Sequence, residues 1–182
     1  AILQELLSAA RSKKTEPELW SLYDLAANAW NALSNRLERR SIKTDWSIPP
    51  DLELKMDRMS MERVFHNLFE NALEAMGDEG TLRLTAEIGD DHVLLHIRDS
   101  GKGIPPDLQS TLFQPFATRG NGEGLGIGLA LSRQTVVAHG GDLWADFSCQ
   151  VGSHFIMRLP RETKAISASR TIGNEAGDLI RR

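Results

Sequence analysis

The spacing of apolar residues along this chain switches between two periods, and the switches mark its elements. Over residues 19–40, Leu22, Leu25, Ala26, Ala29, Leu33 and Leu37 recur on one side of a 3.6-residue repeat, which predicts a helix. Residues 41–48 alternate as a strand before the turn at Pro49-Pro50, and residues 52–56 read as another short strand. Residues 60–76 form the strongest helical pattern, with Val64, Leu68, Ala72 and Ala75 in register and Ser60 placed as its cap. After a turn at 77–80, residues 81–89 and 92–101 alternate as two strands, an antiparallel pair joined through Gly89-Asp90-Asp91. Pro105, Pro106, Pro115 and several glycines make residues 104–123 mostly loop. Periodicity returns over 125–139, a helix that Gly140-Gly141 ends, and residues 142–148 and 153–160 supply two last strands around Gly152. At the other end, residues 1–11 have helical composition without an N-cap, as if the chain began inside a helix, and residues 12–18 read as a polar linker containing Pro17. The polar segment after Arg161 reads as a mobile or peripheral tail.

Composition narrows what such a chain can do. With 182 residues it can form one domain with a real core. A formal net charge of -4 and the lack of a Lys/Arg cluster argue against a nucleic-acid surface. The single cysteine, Cys149, forms neither an internal disulfide nor a thiolate cluster and is expected to pack as a small apolar residue. No apolar run reaches the roughly 20 residues of a membrane span, and no signal peptide opens the sequence. The expectation is a soluble, cytoplasmic domain, with room for a parent protein attached to the inner membrane.

Four segments carry candidate chemistry. In GEGLGIGLA (122–130), glycines alternate with larger residues at the entrance to a helix, where backbone N–H groups and the helix dipole favour phosphate. In HNLFENALEA (66–75), Asn67 and Asn71 lie four apart on one helical face, and an amide oxygen there can coordinate a hard cation such as Mg²⁺ beside phosphates; a solvated polar face is the plainer alternative. Asp99 ends a strand in DSGKGI (99–104). Its carboxylate can accept from the exocyclic amine of adenine and disfavour guanine, which presents an acceptor there, while Gly101 and Gly103 let a flat base approach; an ordinary turn is the alternative. In LFQPFATRG (112–120), Phe113 and Phe116 suggest a cover with an apolar anchor, or simply core packing in part, and Arg119 can reach phosphate.

In this order and spacing the four segments resemble the nucleotide-binding domain of sensor histidine kinases: an asparagine box, a first glycine box, a phenylalanine box and a second glycine box. The Gly152-Ser153-His154-Phe155 strand also fits, and the N-A-L-E-A-M variant looks most like the nitrogen-regulation type. The resemblance implies an α/β fold, a two-layer sandwich in which a mixed sheet packs helices on one face (the Bergerat-type ATP-binding fold). It implies residues 1–15 as the end of a dimerisation-hairpin helix and linker, 16–161 as the ATP-binding catalytic domain and 162–182 as a tail.

The resemblance also implies ATP and Mg²⁺ as ligands, with Asn71 on the metal and Asn67 beside the phosphates. Asp99 would then take the adenine amine, with Gly101, Gly103 and Ile104 about the base. Phe116, Thr118 and Arg119 would belong to a lid, and Gly122, Gly124, Leu125, Gly126 and Ile127 would wrap the triphosphate. The segment 116–123 is expected to move without nucleotide and to order with it. Hydrolysing members of the superfamily carry a glutamate where this chain has Asn67, and a neutral amide is a poor base, which favours phosphoryl transfer to a protein nucleophile. Glu70, about 100° around the helix from Asn71, is a minor candidate base.

None of His66, His92, His96, His139 and His154 has the setting of a phosphoacceptor, so the acceptor histidine is expected on a dimerisation domain outside this chain. The implied partners are that domain in a homodimeric parent and the receiver domain of a response regulator. Two other readings are a serine kinase of the anti-sigma-factor type and a nucleotide-sensing module without transfer activity.

Overall fold

The computed structural model describes residues 16–117, 126–149 and 151–162. The helix expected from residue 19 begins later, because Leu19 and Trp20 lie in β1 (Glu18–Ser21), which pairs antiparallel with β3 (Glu53–Met56). Ser21 sets the boundary. Its backbone is still extended, and its hydroxyl accepts the Asp24 N–H at 3.1 Å, capping α1 (Leu22–Asn31). The far end of that run also breaks. The Leu33 N–H bonds the Trp30 carbonyl three residues back, a tightened last turn, and only the short α2 (Ser34–Leu37) follows.

The central helix α3 spans Arg58–Met76, and its cap is Asp57 rather than Ser60. An ionised oxygen is the stronger acceptor: Asp57 Oδ1 takes the Ser60 N–H at 2.7 Å, which places Ser60 inside the first turn. Gly77 ends the helix at φ 72°, and the turn expected over 77–80 is cut short because β4 (Glu79–Ile88) is drawn into pairing with β2 (Ser41–Ser47) from Glu79 onward.

The main sheet has the order β2-β4-β5-β7-β6, with β5 at His92–Asp99, β6 at Asp142–Ala145 and β7 at His154–Pro160. The β2–β4 pair is parallel and the others are antiparallel, the mixed sheet that the family resemblance implies. Beyond β5 come the short α4 (Pro106–Gln109) and then α5 (Gly128–Ala138), which is shorter than the periodicity over 125–139.

Alternation on the central strands sends one row inward: Leu82 and Leu84 on β4, Val93, Leu95 and Ile97 on β5, and Phe155, Met157 and Leu159 on β7. Against it α3 buries Met61, Val64, Phe65, Leu68, Phe69, Ala72 and Leu73, with α1 and α5 packed on its flanks. Phe69 is fully buried, stacked on Trp46 at 6.2 Å and meeting Trp30 edge-on at 5.6 Å, so one ring ties α1, α3 and β2 together. No helix among the described residues is long and apolar enough to cross a membrane.

The cap assignment is testable. Asp57→Ala should lower unfolding free energy by about 0.5–2 kcal/mol, whereas Ser60→Ala, which keeps the backbone donor, should cost only a few tenths. Urea melts of the two variants distinguish the caps, and a larger loss in Ser60→Ala would return the cap to the serine.

Candidate nucleotide-binding site

The inward row of β5 continues past Val93, Leu95 and Ile97 to Asp99, so a carboxylate occupies the core-facing position at the strand's end. It is buried at 6% exposure. Oδ1 accepts the Gly101 N–H at 2.8 Å and the Ser153 N–H at 3.2 Å. Desolvation dominates, raising the Asp99 pKa above the usual aspartate value, while those backbone donors partly oppose the shift. Both backbone N–H groups go to Oδ1, the Ser153 side chain adds a further hydrogen bond to the carboxyl, and Oδ2 accepts from neither backbone donor.

The walls beside Asp99 come from distant parts of the chain. Gly101 lies against the Ala75 backbone of α3, and the next residue, Lys102, donates its N–H to the Ala75 carbonyl at 3.1 Å. Gly152 faces the Asp99 backbone so closely that a Cβ there would run into the Asp99 carbonyl oxygen, and its φ of 72° also suits glycine. Gly103 approaches the Gly152 carbonyl, and Ile104 packs against the core edge. A shallow cleft here is lined by Ile104, Gln109, Cys149, Gly152 and Ser153, among others.

On α3, Asn67 and Asn71 share the flank that the apolar stripe leaves free, but their surroundings differ. The Asn67 Nδ2 donates to the buried Ser132 hydroxyl of α5 at 3.0 Å, and its Oδ1 sits where a Cβ on Gly128 would be. Asn67 therefore seats the start of α5 on α3. Asn71 is half-buried, and its side chain makes no hydrogen bond among the described residues. Glu70 takes a different direction: it pairs with Arg36 at 2.9 Å and approaches His66 Nδ1 at 3.5 Å, which sets its carboxylate toward α2 and away from α5.

The start of α5 has no side-chain cap from its N-cap residue Ile127, in contrast to α1 and α3, so its first N–H groups have no intrahelical partner and no capping side chain among the described residues. Ile127 precedes it, and the Gly126 carbonyl accepts the Phe116 N–H at 2.9 Å, which pins together the two sides of the intervening segment. Phe116 itself is exposed, while Phe113 is partly buried, edge-on to Phe155 at 6.4 Å. Of the expected lid and phosphate residues, Thr118, Arg119, Gly122, Gly124 and Leu125 lie outside the described residues.

The structure thus brings Asp99, Gly101, Gly103 and Ile104 together at one end of α3, and Asn67, Gly126 and Ile127 near its meeting with α5. The sequence reading missed Ser153 and Ser132. Both act on partners more than fifty residues away, at separations of 54 and 65, and no local pattern announces them. Cys149 also departs from expectation. It is half-exposed beside Asp146 and His154 rather than packed among apolar side chains.

Residues 56–163 match the family described as Histidine kinase-, DNA gyrase B-, and HSP90-like ATPase. Among curated proteins, the alginate biosynthesis sensor protein KinB of Pseudomonas aeruginosa is 32% identical over 165 residues, covering 87% of this chain and 28% of KinB. Across the first such relatives this chain spans 28–34% of their length. Among solved structures, the catalytic domain of histidine kinase ThkA superposes with a TM-score of 0.72 at 28% identity, over 80% of this chain and 96% of that one. ThkA in complex with the response regulator protein TrrA gives 0.72 at 26% identity, over 90% and 47%. The chain belongs to the family of histidine kinase-, DNA gyrase B- and HSP90-like ATPases, and within it is similar to the ATP-binding catalytic domain of sensor histidine kinases.

Proposed function

We propose that this domain binds Mg-ATP and delivers its γ-phosphoryl group to a histidine on a dimerisation domain of the parent protein, for relay to a response regulator. The observation that carries the reading is the buried Asp99 carboxylate, whose two backbone donors share one oxygen and leave the other without a backbone donor. Adenine offers an N–H₂ donor to such an acceptor, and guanine offers a carbonyl that would face it acceptor to acceptor. The N–H groups at the start of α5, which no side chain caps among the described residues, suit phosphate oxygens. The Asn71 amide oxygen is a hard donor with no competing hydrogen bond among the described residues, which fits Mg²⁺. When bound, that ion supplies charge neutralisation between phosphate groups.

The chain's own part is to orient. Asp99 and the adjacent glycines fix the base. Asn67 holds α5 against α3, so that the N-terminus of α5 stays aimed at the phosphates. In the transfer, the acceptor imidazole nitrogen forms a bond to the γ-phosphorus while the bond to the β–γ bridging oxygen breaks, and ADP departs with that electron pair. With an amide at 67 engaged by Ser132, and Glu70 tied to Arg36, neither side chain is set to activate water, which favours transfer over hydrolysis. Residues 1–15 fit the end of the hairpin that would carry the acceptor.

Three outcomes test this. Asp99→Asn should weaken ATP binding by about 10- to 100-fold, the worth of a hydrogen bond to a charged group, and erase the preference over GTP. The same variant should melt no lower than the parent at neutral pH. The Asp99 pKa is raised by folding, so its stabilising contribution is present at acid pH and lost as pH rises through that value, a cost the neutral amide avoids. Equal calorimetric affinity of the unaltered chain for ATP and GTP would remove the base-reading role. Asn71→Ala should abolish the Mg²⁺ enhancement of ATP affinity; an unchanged enhancement places the metal elsewhere. Finally, labelled ATP with this chain alone should give no self-labelling, and addition of the parent's hairpin as a separate polypeptide should give acid-labile phosphate on the hairpin histidine, slowly because the two polypeptides are not covalently joined. Stable phosphate on any histidine of this chain would contradict the proposal.

A further inference from the structure

The turn between β6 and β7 gathers three chemically distinct ligand atoms that the nucleotide reading does not use, although Asp146 and Cys149 line the cleft beside Asp99. Asp146, Cys149 and His154 each present one, and all lie within 4.8 Å of one another. Pairing across the hairpin fixes two of them: the Asp146 N–H bonds the His154 carbonyl at 2.8 Å, and Asp146 Oδ2 stands 3.2 Å from His154 Nδ1. The other Asp146 oxygen is occupied by the Ser148 N–H and hydroxyl, at 2.9 and 2.7 Å, so the carboxylate cannot swing away without breaking the turn. Cys149 closes over the pair one residue later.

The far side of His154 is equally constrained. Its Nε2 lies 2.9 Å from His96 Nδ1, and the other nitrogen of His96 lies 3.3 Å from Glu87 Oε1, too poorly aligned for a good hydrogen bond. His154 Nδ1–H donates to Asp146 Oδ2, and His154 Nε2 then accepts from His96 Nδ1–H, so both ring protons in this row have an acceptor. A divalent cation would take the place of the proton between His154 and Asp146, and the neighbouring thiol supplies a third donor for it.

We propose that Asp146, Cys149 and His154 form a three-ligand site for a borderline divalent cation of the Zn²⁺ class, with His96 and Glu87 orienting the imidazole behind it. Sulfur, imidazole and carboxylate together suit Zn²⁺ and its congeners rather than Mg²⁺ or Ca²⁺. Tetrahedral bonds of about 2.0–2.3 Å put ligand atoms roughly 3.5 Å apart, so the three atoms need close by only about an ångström. A fourth position is left for water. Burial and the charge of Arg98 push the His154 pKa down, which keeps the ring in the neutral form that ligation uses. Ser153 and Gly152, which brace Asp99, lie within the same turn, so the site sits at the rim of the nucleotide cleft.

The test uses the untagged chain, stripped of metal and without nucleotide, in excess Mg²⁺. Co²⁺ should bind at one per chain with a near-ultraviolet sulfur-to-cobalt band, and Zn²⁺ should displace it. The band should vanish in Cys149→Ser. In Asp146→Asn, which keeps the Ser148 bonds, Zn²⁺ affinity should fall by at least about 10-fold, the smallest loss that even outer partners of a metal command. Absence of the band in the unaltered chain would leave Asp146 and His154 as an ordinary hydrogen-bonded pair and overturn the proposal, as would undiminished Zn²⁺ affinity in Asp146→Asn. ATP binding is measured separately, so the nucleotide reading stands or falls on its own.

Discussion

The arrangement depends on burying one stripe of α3 against the inward row of the sheet. Met61, Val64, Phe65, Leu68, Phe69, Ala72 and Leu73 recur at helical spacing, and the two phenylalanines are fully enclosed. Each such large side chain contributes about 1.5–3 kcal/mol when taken out of water, so rotation of the helix about its axis is strongly resisted. Fixing that rotation fixes everything at other angles around it. Asn67 and Asn71 must point along one flank, toward α5, and His66 and Glu70 along the other, toward Arg36. The polar face of this helix is where it is because its apolar face has nowhere else to go.

The same sheet row that welcomes the helix ends in a group that opposes burial. Asp99 stands in line with Val93, Leu95 and Ile97, and desolvation raises its pKa. The fold compensates chiefly with backbone: the Gly101 and Ser153 N–H groups converge on a single oxygen, and the Ser153 side chain adds to them. This requires close chain crossings, met by Gly101 against α3 and Gly152 against the Asp99 carbonyl. A desolvated acceptor on a rigid scaffold does not serve stability alone. Under the proposed function it is a preorganised receptor for a donor that arrives with a ligand.

Legibility in the sequence followed the range of the interactions. Periodicity located α3, β4, β5 and β7, because burial of a stripe or a row writes itself into neighbouring residues. It erred where a local choice competed with a distant one. Residues 19–21 carry helix-compatible apolar spacing, yet pairing with β3 makes them a strand, and the Asp57 carboxylate outbid Ser60 as a cap. For the site, Asp99 and the asparagines were found as residue types in a recognisable order. The bracing by Ser153, the engagement of Asn67 by Ser132 and the gathering of Cys149 with Asp146 and His154 were not, since each joins elements that meet only through the sheet order.

The central claim, that Asp99 is a prepaid receptor for adenine, is met most directly by a crystal structure of this chain with Mg²⁺ and a non-hydrolysable ATP analogue. The account predicts the adenine exocyclic nitrogen within about 2.7–3.2 Å of Asp99 Oδ2, with the Gly101 and Ser153 bonds to Oδ1 unchanged. An analogue bound with its base away from Asp99, or an Asp99 that gives up its backbone donors to reach it, would contradict the account.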